Sequence, residues 1–328
     1  MAVIQKVQNR LASPFRAGLG LRLAKSIANT MGRPNLAGVM VTNLRLWMKP
    51  FEYRRRQDWA KHPIGTNQNA IDISKETGYF LFGPGKLASV NKITKICGKI
   101  LDAKGRDNLA TWHETRAKNA KSKSYFYNIL EEEDIFQYPE LMEFATSDEV
   151  LSALIPYYGM VPRLCSIGLY YSKVSEDGAS GSQNFHLDGT DPHHVKCFIN
   201  LTDVGPKDGP LTFIPADKTD ELRNDNGGPL KSAGLEDAQK LASYEKEYRI
   251  SLTGAPSSGA FVDASRCLHY GSRCEENPRI VFMFHYAVFA NYTELPKNPL
   301  RDLRMQHYPD IRRKFGVDEL RKSVLRID

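Results

Sequence analysis

The stretch Asn184–Gly189 reads Asn-Phe-His-Leu-Asp-Gly, and Cys267–Gly271 later in the chain reads Cys-Leu-His-Tyr-Gly. His186 and Asp188 are two positions apart, so in an extended strand their side chains point to the same side. In a helix the same two residues would lie about 200° apart around the axis and could not share one ion. The spacing therefore predicts a β context, in which the first stretch meets His269 of the second.

Two imidazoles and one carboxylate form the 2-His-1-carboxylate facial triad, which binds Fe(II) and leaves the opposite face of the metal open. A His-x-Asp triplet on its own is a weak signal, because short motifs occur by chance. The alternative for the triplet is an exposed turn, since Gly189 and Pro192 mark a loop there. The rest of the chain has to decide between these two interpretations.

The bulk composition is that of a globular protein. The chain has 328 residues, of which 41% are hydrophobic and 25% are charged, and no apolar run has the length of a membrane-spanning helix. Its five cysteines are odd in number and include no Cys-x-x-Cys pair. This pattern predicts reduced thiols and a cytoplasmic location rather than a disulfide framework.

The net charge of +7 is concentrated at the N-terminus, because the first acidic residue is Glu52. Beyond residue 51 the basic and acidic residues nearly balance. The high overall charge is therefore poor evidence for nucleic acid binding, and we expect no nucleic acid partner.

Residues 1–50 are predicted to be a basic N-terminal extension. Phe15, Leu19, Leu23 and Ile27 recur every four residues with basic residues between them, a pattern typical of an amphipathic helix. Three interpretations remain open for it. The helix packs on the main domain, contacts an anionic membrane surface peripherally through residues 1–34, or belongs to a targeting segment.

Residues 51–328 are predicted to form one domain that is mainly β with flanking helices. The pattern predicts a helix over 138–158, with a cap at Ser147 for its second half and a stop at Gly159. Short strands separated by turns are predicted at 79–82, 164–171, 196–201, 211–215, 259–263 and 280–288. Such strands indicate a jelly roll, the cupin-like double-stranded β-helix. We place its metal-binding core at about 160–290, a polar, helical, lid-like insertion at about 217–250, and a charged helical tail after Leu300.

The region from about 139 to 287 resembles the phytanoyl-CoA dioxygenase-like family of Fe(II)- and 2-oxoglutarate-dependent oxygenases. Four pieces carry the resemblance, in the family's order and at similar spacing: His186–Asp188, Asn200–Asp203 leading into Asp208–Pro215, Gly259–His269, and Pro278–Ile280.

The resemblance implies a metal held by His186, Asp188 and His269, with 2-oxoglutarate as cosubstrate. Arg279 would bind the far carboxylate of 2-oxoglutarate as a charge-assisted pair. With dioxygen, such an enzyme hydroxylates a C–H bond of a small-molecule or lipid-linked substrate and releases succinate and CO₂. The alternative is a cupin-like metal-binding or small-molecule-binding protein without oxygenase activity.

Other positions near the motifs are less certain. No Ser or Thr stands two residues after Arg279, so another hydroxyl has to assist it, and Tyr171 is the candidate. Arg273 is the rival for the cosubstrate. Lys196 and Asn200 share one face of a predicted strand and are expected to line the site.

Neighbouring histidines are expected to play smaller roles. His285 lies in an apolar strand and is expected to be a core or pocket residue. At most one of His193 and His194 can face the metal, because neighbours in a strand point in opposite directions.

Overall fold

The computed structural model describes residues 50–61, 71–109, 111, 125–174, 179, 181–188, 191–225, 238–288 and 303–325. The predicted N-terminal helix and the segment 1–34 lie outside these residues. No helix in the described part of the chain is long and apolar enough to cross a membrane.

In the described residues, ten strands make up the sheets: β1 Tyr79–Phe82, β2 Phe126–Asn128, β3 Arg163–Ser172, β4 His194–Asn200, β5 Thr212–Ile214, β6 Ile250–Ser251, β7 Gly259–Asp263, β8 Leu268–Tyr270, β9 Arg279–Ala287 and β10 Leu303–Arg304. The described α-helices are α1 Pro50–Trp59, α2 Val90–Ala103, α3 Glu132–Gln137, α4 Glu140–Ala145, α5 Asp148–Tyr158, α6 Ala216–Asp225, α7 Ala238–Tyr248, α8 Pro309–Phe315 and α9 Glu319–Leu325.

The strands form two antiparallel sheets. The larger sheet has the order β1-β7-β4-β9-β3-β10, with β2 also paired to β3, and the smaller has the order β6-β5-β8. Neighbours in each sheet are distant in sequence, as in a jelly roll. The predicted fold class, mainly β with flanking helices, is confirmed, and so are the predicted strands that became β1, β3, β4, β5, β7 and β9.

Side-chain alternation divides the core into two layers. On one face of the larger sheet, Phe282, Phe284 and Tyr286 of β9 join the helices in the main hydrophobic cluster. On the other face, Val281 and Met283 pack in a second cluster shared with the smaller sheet. This second face is called the inner face below, because it lies between the two sheets and forms the interior of the barrel.

The helical segment predicted over 138–158 is divided into α4 and α5. The break falls at Ser147, whose hydroxyl accepts a hydrogen bond from the backbone N–H of Val150 at 3.3 Å and caps α5. Gly159 ends α5 in the left-handed conformation (φ 67°), which glycine adopts without strain. The predicted cap for the second half of the segment and the predicted stop are therefore confirmed.

The predicted insertion forms α6 and α7, with residues 226–237 outside the described part of the chain. Leu222 and Leu241 of these helices pack with Ile214 and Leu268 on the outer face of the smaller sheet. The tail departs from prediction, because Leu303 and Arg304 pair with β3 as a strand before the helices begin. Two residues are too short a segment for an alternating pattern to be recognised in the sequence.

A buried carboxylate fixes the end of β7 where the site begins. Asp263 accepts hydrogen bonds from the Tyr157 hydroxyl and the His193 Nδ1, each at 2.7 Å. It also accepts from the backbone N–H groups of His194 and Ser265, each at 3.1 Å. Burial alone would raise the pKa of Asp263, but the interactions with His193 and Tyr157 hold that pKa below its usual value.

The close contact of β7 with β4 gives a stability test. A Cβ at Gly259 would lie 2.2 Å from the Phe198 carbonyl oxygen and 2.3 Å from the Phe82 ring, whereas a Cβ at Gly83 meets nothing within 4 Å. We expect Gly259→Ala to lower the free energy of unfolding by about 1–3 kcal/mol or more. The matched Gly83→Ala variant should stay within about 0.5 kcal/mol of wild type. Urea unfolding of both variants measures this, and equal stabilities would contradict the tight packing at Gly259.

Candidate metal centre

His186 and His269 are brought together by the backbone. The N–H of each donates to the C=O of the other at 3.0 Å, forming an antiparallel bridge. Paired residues of this kind project their side chains to the same side, and the two ring centroids lie 4.3 Å apart. His269 also pairs with Phe213 of β5, an inner-face residue, so both imidazoles point into the barrel.

The β context predicted for the triplet is present at His186 and ends there. Leu187 and Asp188 have no strand assignment, and the Asp188 N–H donates instead to the Ala264 carbonyl at 2.9 Å. Asp188 nevertheless lies on the same side as His186, because Phe185 and Leu187 pack on the opposite face. The two side chains therefore point to the same side, as their spacing predicts, but strand pairing there is limited to the bridge at His186.

Backbone carbonyls set the protonation of both imidazoles. His186 Nδ1 lies 2.9 Å from the Asn184 carbonyl, and His269 Nδ1 lies 2.9 Å from the Cys267 carbonyl. A carbonyl only accepts, so each Nδ1 carries the hydrogen and each Nε2 keeps its lone pair. Burial lowers the pKa of His269 to about 3, which keeps its ring neutral and able to bind a metal.

The carboxylate of Asp188 is held on its outer oxygen. Lys196 Nζ lies 2.6 Å and His194 Nδ1 lies 3.2 Å from Asp188 Oδ2, while Oδ1 lies 3.9 Å from His186 Nε2. Burial alone would raise the pKa of Asp188, but Lys196 and then His194 hold that pKa well below its usual range. Asp188 is therefore ionised, with Oδ1 turned towards the histidines.

These three side chains fit a divalent metal. One ligand atom from each of His186, Asp188 and His269 lies within 4.8 Å of the others, the one group of this kind among the residues that the structure describes. The donors are two neutral imidazole nitrogens and one carboxylate oxygen, the set that suits Fe(II) and leaves positions open for other ligands. The hydrogen bonds from each Nδ1, and the ion pair between Lys196 and Asp188 Oδ2, are outer contacts of the kind that orient metal ligands.

Arg279 lies buried at the start of β9 and has no carboxylate partner in the described part of the chain. Its Nη2 donates to Ser272 Oγ at 3.2 Å, and its buried Nε has no hydrogen-bond partner there. Burial lowers the pKa of Arg279 to about 10, a value at which the guanidinium stays charged at neutral pH. A buried cation without an anion is costly, so this environment favours an anionic ligand.

The position of Arg279 relative to the histidines follows from Gly271. A Cβ on Gly271 would lie 3.4 Å from Arg279 Nη2, so the guanidinium lies directly beside this glycine. Gly271 is two residues beyond His269, a step of about 6–7 Å in extended backbone. The guanidinium of Arg279 therefore lies beside a glycine that is one such step away from His269.

The structure does not bring Tyr171 to this cation. Its ring stacks on Tyr127 (centroids 6.2 Å apart) on the outer face of β3. Tyr170 occupies the inner face instead and stacks on Phe126 with the centroids 4.5 Å apart. A Cβ at Gly168 would lie 2.5 Å from the Tyr170 ring, so this glycine leaves room for the ring along the strand. The tyrosine named from the sequence, Tyr171, therefore lies on the face of β3 that points away from Arg279.

The hydroxyls beside Arg279 were missed by the sequence analysis. Ser172 donates to Ser272 Oγ at 2.9 Å, and Gln183 Nε2 donates to the Ser272 carbonyl at 2.9 Å. Ser172 pairs with Arg279 across β3 and β9. Ser172 shares the inner face of β3 with Tyr170, and the sequence does not show which face of that strand is the inner one. No local pattern marks Ser272.

The remaining residues singled out in the sequence fall on both sides of the barrel wall. Arg273 stacks on Tyr270 (3.6 Å from Cζ to the ring centroid) and donates from Nε to the Gln183 carbonyl at 2.6 Å. His193 points to Asp263, whereas His194 contacts Asp188, as strand alternation predicted. The other three, Lys196, Asn200 and His285, lie on strands that line the barrel and are buried or nearly so.

No family model and no curated protein matches this chain. Among solved structures, it is similar to EctD from S. alaskensis with bound Fe, at 18% identity over 65% of this chain and 73% of that chain, with a TM-score of 0.42. It is similar to the non-heme alpha ketoglutarate dependent epimerase SnoN from nogalamycin biosynthesis, at 16% identity over 70% and 90% of the two chains, with a TM-score of 0.43.

A third similar structure is HygX from Streptomyces hygroscopicus with nickel and 2-oxoglutarate bound, at 14% identity over 68% of this chain and 88% of that chain, with a TM-score of 0.38. TM-scores below 0.5 do not by themselves establish a common fold. The two-sheet architecture of this chain is therefore defined by its own strand pairing.

Metal binding should be measurable as stabilisation. At a free metal concentration of 100 times Kd, a site present only in the folded protein adds about 2.7 kcal/mol to the free energy of unfolding. We expect Zn(II) or Ni(II) to raise the melting temperature of wild type by several degrees, and Asp188→Ala and His186→Ala to lose most of this shift. His193→Gln is the matched control, because this histidine faces Asp263, and it should keep the shift. An undiminished shift in Asp188→Ala would contradict this site.

Proposed function

We propose that this protein is an Fe(II)- and 2-oxoglutarate-dependent dioxygenase. His186, Asp188 and His269 would hold the metal through two Nε2 atoms and Asp188 Oδ1, and Arg279 would bind the distal carboxylate of 2-oxoglutarate. The phytanoyl-CoA dioxygenase-like branch and hydroxylation of a C–H bond in a small or lipid-linked molecule are our proposal from the sequence pieces that resemble that family.

The observation that carries the proposal is the buried guanidinium of Arg279 next to Gly271. A metal triad alone suits many proteins that do not use a cosubstrate. A buried cation without a carboxylate partner in the described chain, beside the glycine two residues beyond His269, favours an anion that reaches from the guanidinium to the metal. 2-Oxoglutarate has this form, with a keto acid at one end that chelates a metal and a carboxylate at the other.

The inner face between these two ends supports the same ligand. From Arg279 towards the metal, β9 presents Val281 and Met283, and Phe198 of β4 and Tyr170 of β3 lie beside them. These side chains are apolar or aromatic. They suit the two methylene groups that separate the keto acid from the distal carboxylate of 2-oxoglutarate.

The chain's own residues would act by binding and by excluding water. When bound, Fe(II) with 2-oxoglutarate would supply the activation of dioxygen and the oxidising power for C–H cleavage. Lys196 and His194 would keep Asp188 Oδ1 directed at the metal by holding Oδ2. Arg279 and Ser272 would fix the far end of the cosubstrate, and the aromatic layer around Tyr170 would keep water away from its middle.

The test is an anaerobic absorbance titration of the metal-free protein with Fe(II) and then with 2-oxoglutarate. We expect a weak visible charge-transfer band that requires both additions and is absent in His186→Ala. In air, wild type should then convert 2-oxoglutarate to succinate and CO₂. Binding of iron without the band or any consumption of 2-oxoglutarate would instead support the cupin-like binding protein.

Arginine variants test the cosubstrate contact separately. Arg279→Met should weaken 2-oxoglutarate binding about ten-fold or more in the same titration, because it removes a charge-assisted, buried contact. Arg273→Met is the matched control, since this guanidinium stacks on Tyr270, and its affinity should stay within about three-fold of wild type. The reverse ranking of the two variants would assign the cosubstrate to Arg273.

A further inference from the structure

A polar row crosses the inner face of the larger sheet next to the metal centre. In the strand register, Lys196 of β4 pairs with His285 of β9, His285 pairs with Ser166 of β3, and Ser166 pairs with Arg304 of β10. Residues paired directly across antiparallel strands project to the same side. These four residues are called the polar row below.

The neighbours of the polar row show that it faces the barrel. Ile167 and Leu303 alternate with Ser166 and Arg304, and both pack in the outer, helix-covered cluster. Met283, two residues from His285 on β9, lies in the inner cluster. Four polar side chains that are buried or partly buried in one row are costly unless they find hydrogen-bond partners.

Two members of the row have buried polar atoms without a partner. His285 Nε2 and Ser166 Oγ make no hydrogen bond to any described residue, and both residues are more than nine-tenths buried. They are adjacent across β3 and β9, so one ligand group can reach both. Buried atoms of this kind in a native protein indicate an absent hydrogen-bonding ligand or water.

The charge of the row is positive. Lys196 and Arg304 are cations, and Asp188 is the one carboxylate that acts on His285 from within the described chain. Burial, then Lys196 and His194, lower the pKa of His285 well below its usual value, so its ring stays neutral. Lys196 forms an ion pair with Asp188 (Nζ to Oδ2, 2.6 Å), and its ammonium group has three N–H donors with which to bind a further acceptor.

The site is open to ligands at this end of the barrel. The exposed fractions of the His186, Asp188 and Lys196 side chains are 26%, 17% and 13%, whereas Arg279 at the other end is buried. A molecule that enters here meets the metal ligands and the polar row together.

We propose that the polar row binds an anionic oxygen group of the substrate, a carboxylate or a phosphate. Lys196 and Arg304 supply the charge, and Ser166 and His285 donate hydrogen bonds that specify the position of its oxygens. The substrate class is therefore a small anionic molecule whose reactive C–H lies close to its charged group. The role of this anion site in positioning a substrate rests on the proposed oxygenase function, whereas anion binding itself does not.

The test follows the ring nitrogens of His285 by NMR in the full chain labelled with [¹⁵N]histidine, in the presence of Zn(II). The probes are acetate, inorganic phosphate and acetamide, the neutral isostere of acetate. We expect acetate or phosphate to shift the His285 signals to saturation, and acetamide to bind at least about ten-fold more weakly. The tighter binder of acetate and phosphate shows whether the site prefers a carboxylate or a phosphate.

Variants test whether the anion that shifts the His285 signals is bound by the polar row. Arg304→Gln should weaken the binding of the preferred anion about ten-fold, and Arg304→Lys, which keeps the charge, should restore most of it. Ser166→Ala should weaken binding about five-fold. Lys207→Gln is the control, because this lysine pairs with Glu276 on the surface, and it should leave the affinity unchanged.

The proposal is overturned if no probe shifts His285, if acetamide binds as well as acetate, or if Arg304→Gln and Ser166→Ala both bind anions like wild type. None of these readouts requires iron, 2-oxoglutarate or turnover. A failed absorbance titration would therefore contradict the oxygenase function and leave the anion site unaffected. A failed anion titration would contradict the anion site and leave the oxygenase function unaffected.

Discussion

The reciprocal backbone hydrogen bonds between His186 and His269 are the constraint on which the site depends. They join the loop before β4 to β8, which lie far apart in sequence, and set the two imidazoles side by side on the inner face. β8 is in turn held by β5, and the turn that precedes it is held by the buried carboxylate of Asp263. The candidate metal ligands are thus positioned by backbone pairing with the smaller sheet, with the larger sheet opposite them.

Charge in the barrel interior is arranged in layers along the strands. Arg279 and the two serines lie at the closed end, an apolar layer follows, and Lys196 with the polar row lies at the open end. Because each buried charge requires a counter-charge or a hydrogen-bonding partner, the layers indicate where ligands must contribute the missing partners. The two ends differ in one respect, since Lys196 already has Asp188 and Arg279 has no carboxylate in the described chain.

Much of the fold was predictable because its strands are long or strongly alternating. β3 and β9 are rich in β-formers, and their limits agree with the sequence pattern to within one or two residues. The strand β10 was not predictable, because a two-residue element has no period of its own. The error at Tyr171 has a similar origin, since nothing local distinguishes it from Tyr170 and a shift by one residue reverses the face.

The sequence by itself determined the types of candidate ligand and their order along the chain: a His-x-Asp triplet, a distant histidine and an arginine at the start of an apolar strand. It also predicted an extended backbone at the triplet, because the spacing of two suits one, and the structure has this as a single bridge at His186. Only the tertiary structure decided which hydroxyls reach Arg279, which face each tyrosine occupies, and that Lys196, His285, Ser166 and Arg304 form one row. The reason is physical: alternation is a property of one strand, whereas a row depends on the register among four strands, which hydrogen bonds between distant segments set.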